Sequence, residues 1–418
     1  MCQILININR LFVGFKVDKL KKYNQMHILK YENELNDAEK KELYNQIDSL
    51  DFSYLECFNK KVEKEDVEIT PIKALTINEI NKNKEMYRQL GLDAIKHGEV
   101  GMLLLAGGMG TRLGSNDPKG MYNIGLTHDL YIFECLFNEA LRVAKEAGTM
   151  IPFFIMTSDV NDEKTKTFLR EKNYFGYDKN YIKFFIQEMA PCTDLNGKIL
   201  LDKKNRIATS PNGNGGWFNS LLKNAEAKRM LERFNLKWIN VFAVDNVLQK
   251  VADPVFIGAT INSGAQVGAK VIRKVDPYEK VGVMCNKNGR PSVIEYMDLG
   301  DEMAHETGED GERLYNFGVI LNYLFNVDLL FDIKDSKLPI HIVTKKIECL
   351  DDDGNLVKPE EPNGHKFEML CVDMVELSNS CLPYEVERER EFAPIKNKTG
   401  VDSVESAREL LVKNGVKL

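Results

Sequence analysis

From Val100 onward, short apolar runs alternate with stretches of helical spacing. Val100–Ala106, Phe153–Thr157, Lys183–Gln187, Trp238–Val244, Val281–Cys285, Val293–Tyr296 and His341–Ile347 predict strands. Between them, Tyr131–Glu146, Asp162–Glu171 and Asn219–Phe234 predict helices. Strands alternating with helices imply an α/β fold with a mostly parallel sheet covered on both faces. Such sheets bind ligands beyond the carboxyl ends of their strands. The first 97 residues differ, being polar and helical in pattern. Leu43, Ile47 and Leu50 fall at i, i+4 and i+7, one face of a helix over Asn36–Leu50. Thr76 and Glu79 have capping-box spacing, and Gly91 predicts the helix stop. This stretch carries no catalytic constellation and predicts a packing or partner-facing domain. Beyond Ile347 the chain is rich in loops: Asp351–Asn355 reads as a turn, with Pro359 and Pro362 soon after it. Ser403–Lys413 predicts a capped terminal helix, with Glu405 and Glu409 toward its start and Lys413 at its end. The expected domains are therefore a helical 1–97, an α/β 98–348 and a C-terminal region 349–418.

Composition narrows the function. The 418 residues are 43% hydrophobic and 28% charged, enough for two or three domains with ordinary globular cores. A net charge of −7, spread along the chain, argues against nucleic acid as a partner but leaves room for a small phosphorylated ligand. Apolar runs fall far short of the ~20 residues of a spanning helix, so no membrane partner is expected. The apolar patch Ile4–Phe15 is broken by Asn7, Asn9 and Arg10 and makes a poor signal peptide. Eight scattered cysteines without a CxxC pair suit reduced, buried thiols and a cytoplasmic location. Neither cysteines nor histidines show zinc spacing or a nucleophile signature.

The most informative segment runs from Leu103 to Gly114, Leu-Leu-Leu-Ala-Gly-Gly-Met-Gly-Thr-Arg-Leu-Gly, followed by Pro118-Lys119-Gly120. An apolar strand delivers four glycines within eight residues. Glycines let a backbone approach a polyphosphate and turn its N–H groups toward it. Arg112 adds a fork of donors suited to phosphate oxygens, and Lys119 a mobile point charge. A Walker A loop would need a lysine that is missing here. A dinucleotide fingerprint fails at Leu113.

The string resembles the signature loop of sugar-phosphate nucleotidyltransferases, and the chain resembles the eukaryotic UDP-N-acetylglucosamine pyrophosphorylase family. The resemblance rests on Leu105–Gly114, Pro118–Leu126, Ile155–Ser158, Phe184–Met189, Pro211–Gly216, Val244–Asn246, Val251–Ile257, Ile294–Tyr296, Lys358–Lys366 and Phe392–Asn397, in the family's order. Relatives that make UDP-glucose usually carry Asn-Gly-Gly and Pro-Lys-Ser. The Ala-Gly-Gly and Pro-Lys-Gly here favour the amino-sugar branch.

The resemblance implies a Rossmann-like nucleotidyltransferase domain flanked by a helical N-terminal domain and a short C-terminal region. It implies that UTP and N-acetylglucosamine 1-phosphate give UDP-N-acetylglucosamine and pyrophosphate, by in-line attack on the α-phosphate. Leu105, Ala106, Gly107 and Gly108 match the loop holding uridine. Lys119 and Lys366 match lysines on the UTP phosphates, and Gln187 and Gly213 match uracil contacts. Asn214, Glu295, Tyr296 and Asn316 match sugar contacts, and Lys396 the lysine on the sugar-phosphate side. Asp245 closes an apolar strand, where a carboxylate is costly unless it binds something. It matches an aspartate near the α-phosphate, and Mg²⁺ is the expected cofactor there. The chain departs from the family at Met109, usually Gln, at Thr127-His128-Asp129, and at Val319, where relatives place an asparagine at the substrate. The alternatives are a UDP-glucose, UDP-N-acetylgalactosamine or broad UDP-sugar pyrophosphorylase. A non-catalytic UDP-sugar sensor and a glycosyltransferase are more distant.

Overall fold

The apolar run at Val100 becomes a strand buried along its whole length, Val100–Leu105. The computed structural model of the chain describes residues 17–59 and 67–418. The apolar patch Ile4–Phe15 lies outside the described residues. Two units emerge, each assembled from separated segments. The larger comprises Asp66–Gln187, Trp217–Lys337 and Cys371–Leu418. The smaller comprises Met1–Glu65, Glu188–Gly216 and Leu338–Leu370. These units cut across the contiguous segments 1–97, 98–348 and 349–418 read from the sequence.

In the larger unit ten strands form one sheet: β1 Ile69–Pro71, β2 Val100–Leu105, β3 Phe153–Thr157, β4 Ile182–Ile186, β5 Trp238–Ala243, β6 Val267–Arg273, β7 Val283–Lys287, β8 Arg290–Ile294, β9 Phe317–Asn326 and β10 Cys381–Glu385. The order is β1-β7-β9-β5-β2-β3-β4, with β8 beside β7 and β6 between β9 and β10. The half carrying the glycine-rich loop, β5-β2-β3-β4, is parallel. Strand β9 runs antiparallel to β5, β6 and β7, so the sheet is mixed. All residues of β2 and β3 are buried, as expected of strands covered on both faces. The unit's helices of ten or more residues are α1 Lys84–Lys96, α2 Ile132–Ala147, α3 Asp162–Glu171, α4 Ala225–Phe234, α5 Pro254–Ser263 and α6 Val404–Lys413. Helix α2 buries Phe133, Leu136, Phe137, Ala140 and Val143 at helical spacing, and the Phe137 ring lies 5.1 Å from Phe153 of β3.

Several expectations shift. Gly91 is no helix stop but sits within α1. A Cβ at Gly91 would lie 1.9 Å from the Pro254 carbonyl oxygen, and one at Gly258 of α5 would lie 1.8 Å from that of Tyr87. Two glycines thus let the backbones of α1 and α5 meet. The helix expected over Asn219–Phe234 is two, Trp217–Lys223 and α4, because Asn224 turns its side-chain oxygen to the Glu226 and Ala227 N–H groups and caps the second. Strands β7 and β8 form a hairpin whose register is set by Asn288-Gly289, both at positive φ. Strand β6 is hidden in the sequence because Lys270 interrupts its apolar run. Its burial is possible because Asp253 and Glu391 flank the ammonium at 3.0 and 2.6 Å.

In the smaller unit the helix Asp37–Ser49 starts at Asn36 with a capping box to Glu39, and buries Leu43 and Ile47. These residues share a core with Phe52, Tyr54, Ile207 and Phe367. His341–Lys345, Gly364–Glu368 and Thr193–Asp194 form a three-stranded antiparallel sheet. The turn at Asp351–Asn355 joins two short paired strands, closed by Asp351 N–H donating to the Asn355 carbonyl at 2.9 Å. Among the described residues no helix is long and apolar enough to cross a membrane.

Candidate active site

The glycine-rich loop leaves the carboxyl end of β2 and is held from beneath by the entry to α3. The Asn161 side-chain amide donates to the Ala106 carbonyl at 3.0 Å, and the Ser158 hydroxyl to that of Gly107 at 2.9 Å. Ser158 N–H donates in turn to Asn161 Oδ1 at 2.8 Å. Asn161 stands at the N-cap of α3, yet makes no side-chain cap bond; its side chain serves the loop instead. A Cβ at Gly107 would lie 2.3 Å from Gln187 Oε1, so this glycine leaves room for the buried Gln187 side chain as it stands. A Cβ at Gly108 would meet nothing within 4 Å, so this glycine leaves open space above the loop. The Gly108 carbonyl accepts from Lys119 N–H at 3.1 Å, folding Pro118–Gly120 back against the loop.

Four charged groups gather here. Lys119 Nζ lies 3.9 Å from Asp245 Oδ2, with 15% and 25% of the two side chains exposed. Burial lowers the Lys119 pKa, Asp245 opposes this, and the positive Arg112 and Lys396 lower it further. Asp245 follows β5, whose partner β2 carries the loop, and Val244 N–H donates to the Leu105 carbonyl at 3.2 Å. The Asp245 carbonyl accepts from Ile395 N–H at 2.8 Å, bringing in the segment with Lys396. Lys396 Nζ lies 2.9 Å from Asp402 Oδ2. Leu105, Ala106, Gly107, Gly108 and Gln187 thus adjoin Arg112, Lys119, Asp245 and Lys396 at the carboxyl ends of the parallel strands.

Glu295 follows β8, half-buried, with Tyr296 exposed beyond it. A Cβ at Gly282 would lie 3.5 Å from Val319 Cγ2 and 3.6 Å from Glu295 Oε1, which makes carboxylate and valine neighbours. Asn316 is buried, and its side-chain oxygen has no hydrogen-bond partner among the described residues. Gly213, Asn214 and Lys366 belong to the smaller unit. Gly213 has φ 85°, and a Cβ there would lie 2.3 Å from the Met369 carbonyl oxygen. Its loop is pinned by Met369 N–H to the Asn212 carbonyl and Gly215 N–H to the Met369 carbonyl, both 2.8 Å. Met369 directly follows the strand Gly364–Glu368 that carries Lys366. Lys366 lines a cavity of about 600 Å³ with Lys346 and Arg206. Sequence reasoning gives no role to Ser158 or Asn161; an asparagine before a helix reads as a cap, and that masks its use.

Among the described residues no group of three or more His, Cys, Asp or Glu could hold a metal. Asp245 brings a carboxylate to the site, an oxygen donor of the kind a hard cation takes beside phosphate oxygens and water.

The family model for UTP–glucose-1-phosphate uridylyltransferase matches residues 49–414. The chain is 39% identical to the UDP-N-acetylglucosamine pyrophosphorylase of Saccharomyces cerevisiae, over 84% of this chain and 76% of that protein. It is 34% identical to UDP-N-acetylglucosamine diphosphorylase 2 of Arabidopsis thaliana, over 95% of this chain and 83% of that protein. Among solved structures, the uridine diphosphate N-acetylglucosamine pyrophosphorylase of Trypanosoma brucei, in complex with an inhibitor, is similar with a TM-score of 0.82 at 27% identity, covering 95% of this chain and 84% of that one. Matched by that family model from residue 49 to residue 414, the chain belongs to the UTP–glucose-1-phosphate uridylyltransferase family.

Proposed function

We propose that the protein is a uridylyltransferase that joins UTP and N-acetylglucosamine 1-phosphate, releasing pyrophosphate and UDP-N-acetylglucosamine. The observation that carries this reading is the gathering of Asp245, Arg112 and Lys396 around Lys119 beside the glycine-rich loop. The sugar phosphate oxygen is already an anion, so the reaction needs no general base. It needs two anions held in line and the growing charge on the α-phosphate and leaving group balanced. Lys119 and Arg112 serve the UTP phosphates, and Lys396 the sugar phosphate. The main chain of Leu105–Gly108 approaches the uridine, and Gln187 and Gly213 read the uracil edges, a side-chain amide serving donor and acceptor alike. Lys366 is a second UTP-phosphate lysine. Asn214, Glu295, Tyr296 and Asn316 face the sugar. Asp245 would hold Mg²⁺, which when bound neutralises charge between the two phosphates. The scattered cysteines favour the cytoplasm as the place of reaction.

The test is pyrophosphate release with UTP, Mg²⁺ and a panel of sugar 1-phosphates. N-acetylglucosamine 1-phosphate is expected to give the highest kcat/KM, and excess chelator to abolish turnover until Mg²⁺ is restored. A preference for glucose or N-acetylgalactosamine 1-phosphate overturns the substrate assignment. Full activity in chelator overturns the metal.

A further inference from the structure

Asn246, beside Asp245, has no task in the proposed reaction, yet its side chain is almost wholly buried and fully engaged. Its Nδ2 donates to the Glu391 carbonyl at 2.7 Å, while Oδ1 accepts from Ala393 N–H at 2.9 Å and Leu248 N–H at 3.3 Å. The two stretches it joins lie antiparallel, with Asn246 opposite Pro394. The Asp245 carbonyl accepts from Ile395 N–H at 2.8 Å, and Val247 N–H donates to the Ala393 carbonyl at 3.4 Å. Pro394 has no N–H to give to such a pairing. The Asn246 amide reaches around it and supplies bonds on the Glu391 side. A carboxylate could accept there but could not donate to the Glu391 carbonyl.

The far end of this tie is anchored. The Glu391 carboxylate accepts from the fully buried Lys270 at 2.6 Å and pairs with Lys250 at 3.1 Å. Lys270 also reaches Asp253 Oδ2 at 3.0 Å and the Lys250 carbonyl at 3.2 Å. Asp253 accepts from Val255 N–H at the start of α5. Two cations and two carboxylates balance, an arrangement that holds only while every partner is in place. The stretch following β5 and the stretch preceding Lys396 are thereby fixed to one buried point.

We propose that Asn246 is a positioning residue for the reaction, setting the separation of Asp245 from Lys396 through the Glu391 backbone and the Lys270 cluster behind it. The proposal rests on the reading that Asp245 and Lys396 face the reacting phosphates. Loosening the tie lets residues 392–396 drift relative to Asp245 and Lys119, and small misplacements of groups that stabilise a transition state cost rate more than affinity.

The test compares Asn246→Ala and Asn246→Asp with Asp245→Asn, each as the full chain. In both Asn246 variants kcat should fall roughly 10- to 100-fold while the KM for UTP moves less than about threefold. The Mg²⁺ concentration for half-maximal rate should rise severalfold, and the melting temperature should change by only a few degrees. A purely structural role would move the melting temperature and the yield of active enzyme, but not the Mg²⁺ requirement. Should Asn246→Ala not fold, Asn246→Asp, which keeps the acceptor and loses the donor, gives the same readouts. A folded Asn246 variant with kcat and Mg²⁺ requirement within twofold of the parent overturns the proposal. If Asp245→Asn itself leaves both unchanged, the reading of Asp245 fails. If Asp245→Asn is impaired while the Asn246 variants are not, the positioning role alone fails.

Discussion

Lys119 shows what a single side chain does at this site. It is mostly buried, close to one carboxylate and in the field of two other cations. Lys119→Ala should lower kcat/KM by roughly 10²–10³, about 3–4 kcal/mol of transition-state stabilisation, with the fold unchanged. Burial foremost lowers its pKa below the usual 10.5, so the ammonium loses its proton earlier than an ordinary lysine as pH rises. The alkaline limb of kcat/KM, which reports the free enzyme, should therefore fall below that value. Lys119→Arg keeps the charge and should carry the limb to higher pH; an unmoved limb would assign it to another group. Val319 poses the sugar question, since it neighbours Glu295 and offers no hydrogen bond. A lost polar contact is worth about 0.5–1.5 kcal/mol where water can substitute. Val319→Asn should lower the KM for N-acetylglucosamine 1-phosphate severalfold and leave that for UTP alone; a changed UTP value would place Val319 away from the sugar.

At the scale of elements, the contact of α1 with α5 depends on Gly91 and Gly258. A Cβ at Gly258 would sit 1.8 Å from a backbone oxygen, which no rotamer change can relieve. Gly258→Ala should therefore cost about 1–3 kcal/mol or more and lower the melting temperature by several degrees. An unchanged melt would mean that the helices do not meet there. The same contact explains why Gly91 misleads in the sequence. A helical glycine that admits a neighbouring backbone and a glycine that ends a helix look alike until the partner is known. Strands β2 and β3 are legible because both faces are buried and the runs are unbroken. Strand β6 is not, since only tertiary pairing with Asp253 and Glu391 permits Lys270 within it. At the site, the loop, Lys119 and Asp245 are legible as local strings. Asn161 is not, because its amide donates to residues more than fifty positions earlier.

For the whole molecule, a net charge of −7 sets a general repulsion against phosphorylated substrates. Arg112, Lys119 and Lys396 reverse the sign locally. Salt screens such fields within ~8–10 Å at physiological ionic strength. The KM for UTP should thus rise severalfold between low and high salt at fixed free Mg²⁺, with kcat less affected; an unaltered KM would mean that contact, not field, dominates capture.

The smaller unit, threaded from three distant stretches, has a temporal consequence. Leu43, Ile47 and Tyr54 leave the ribosome long before Ile207 and Phe367, which complete their core. At ~5–20 residues per second, the early stretch waits roughly 15–60 seconds for its last partner. During that interval its apolar face is uncovered on the nascent chain, while the parallel strands β2, β3, β4 and β5 are being made. Ribosome pausing between residues 210 and 365 would lengthen the exposure, so codon choice in that interval bears on yield without altering any residue of the folded enzyme.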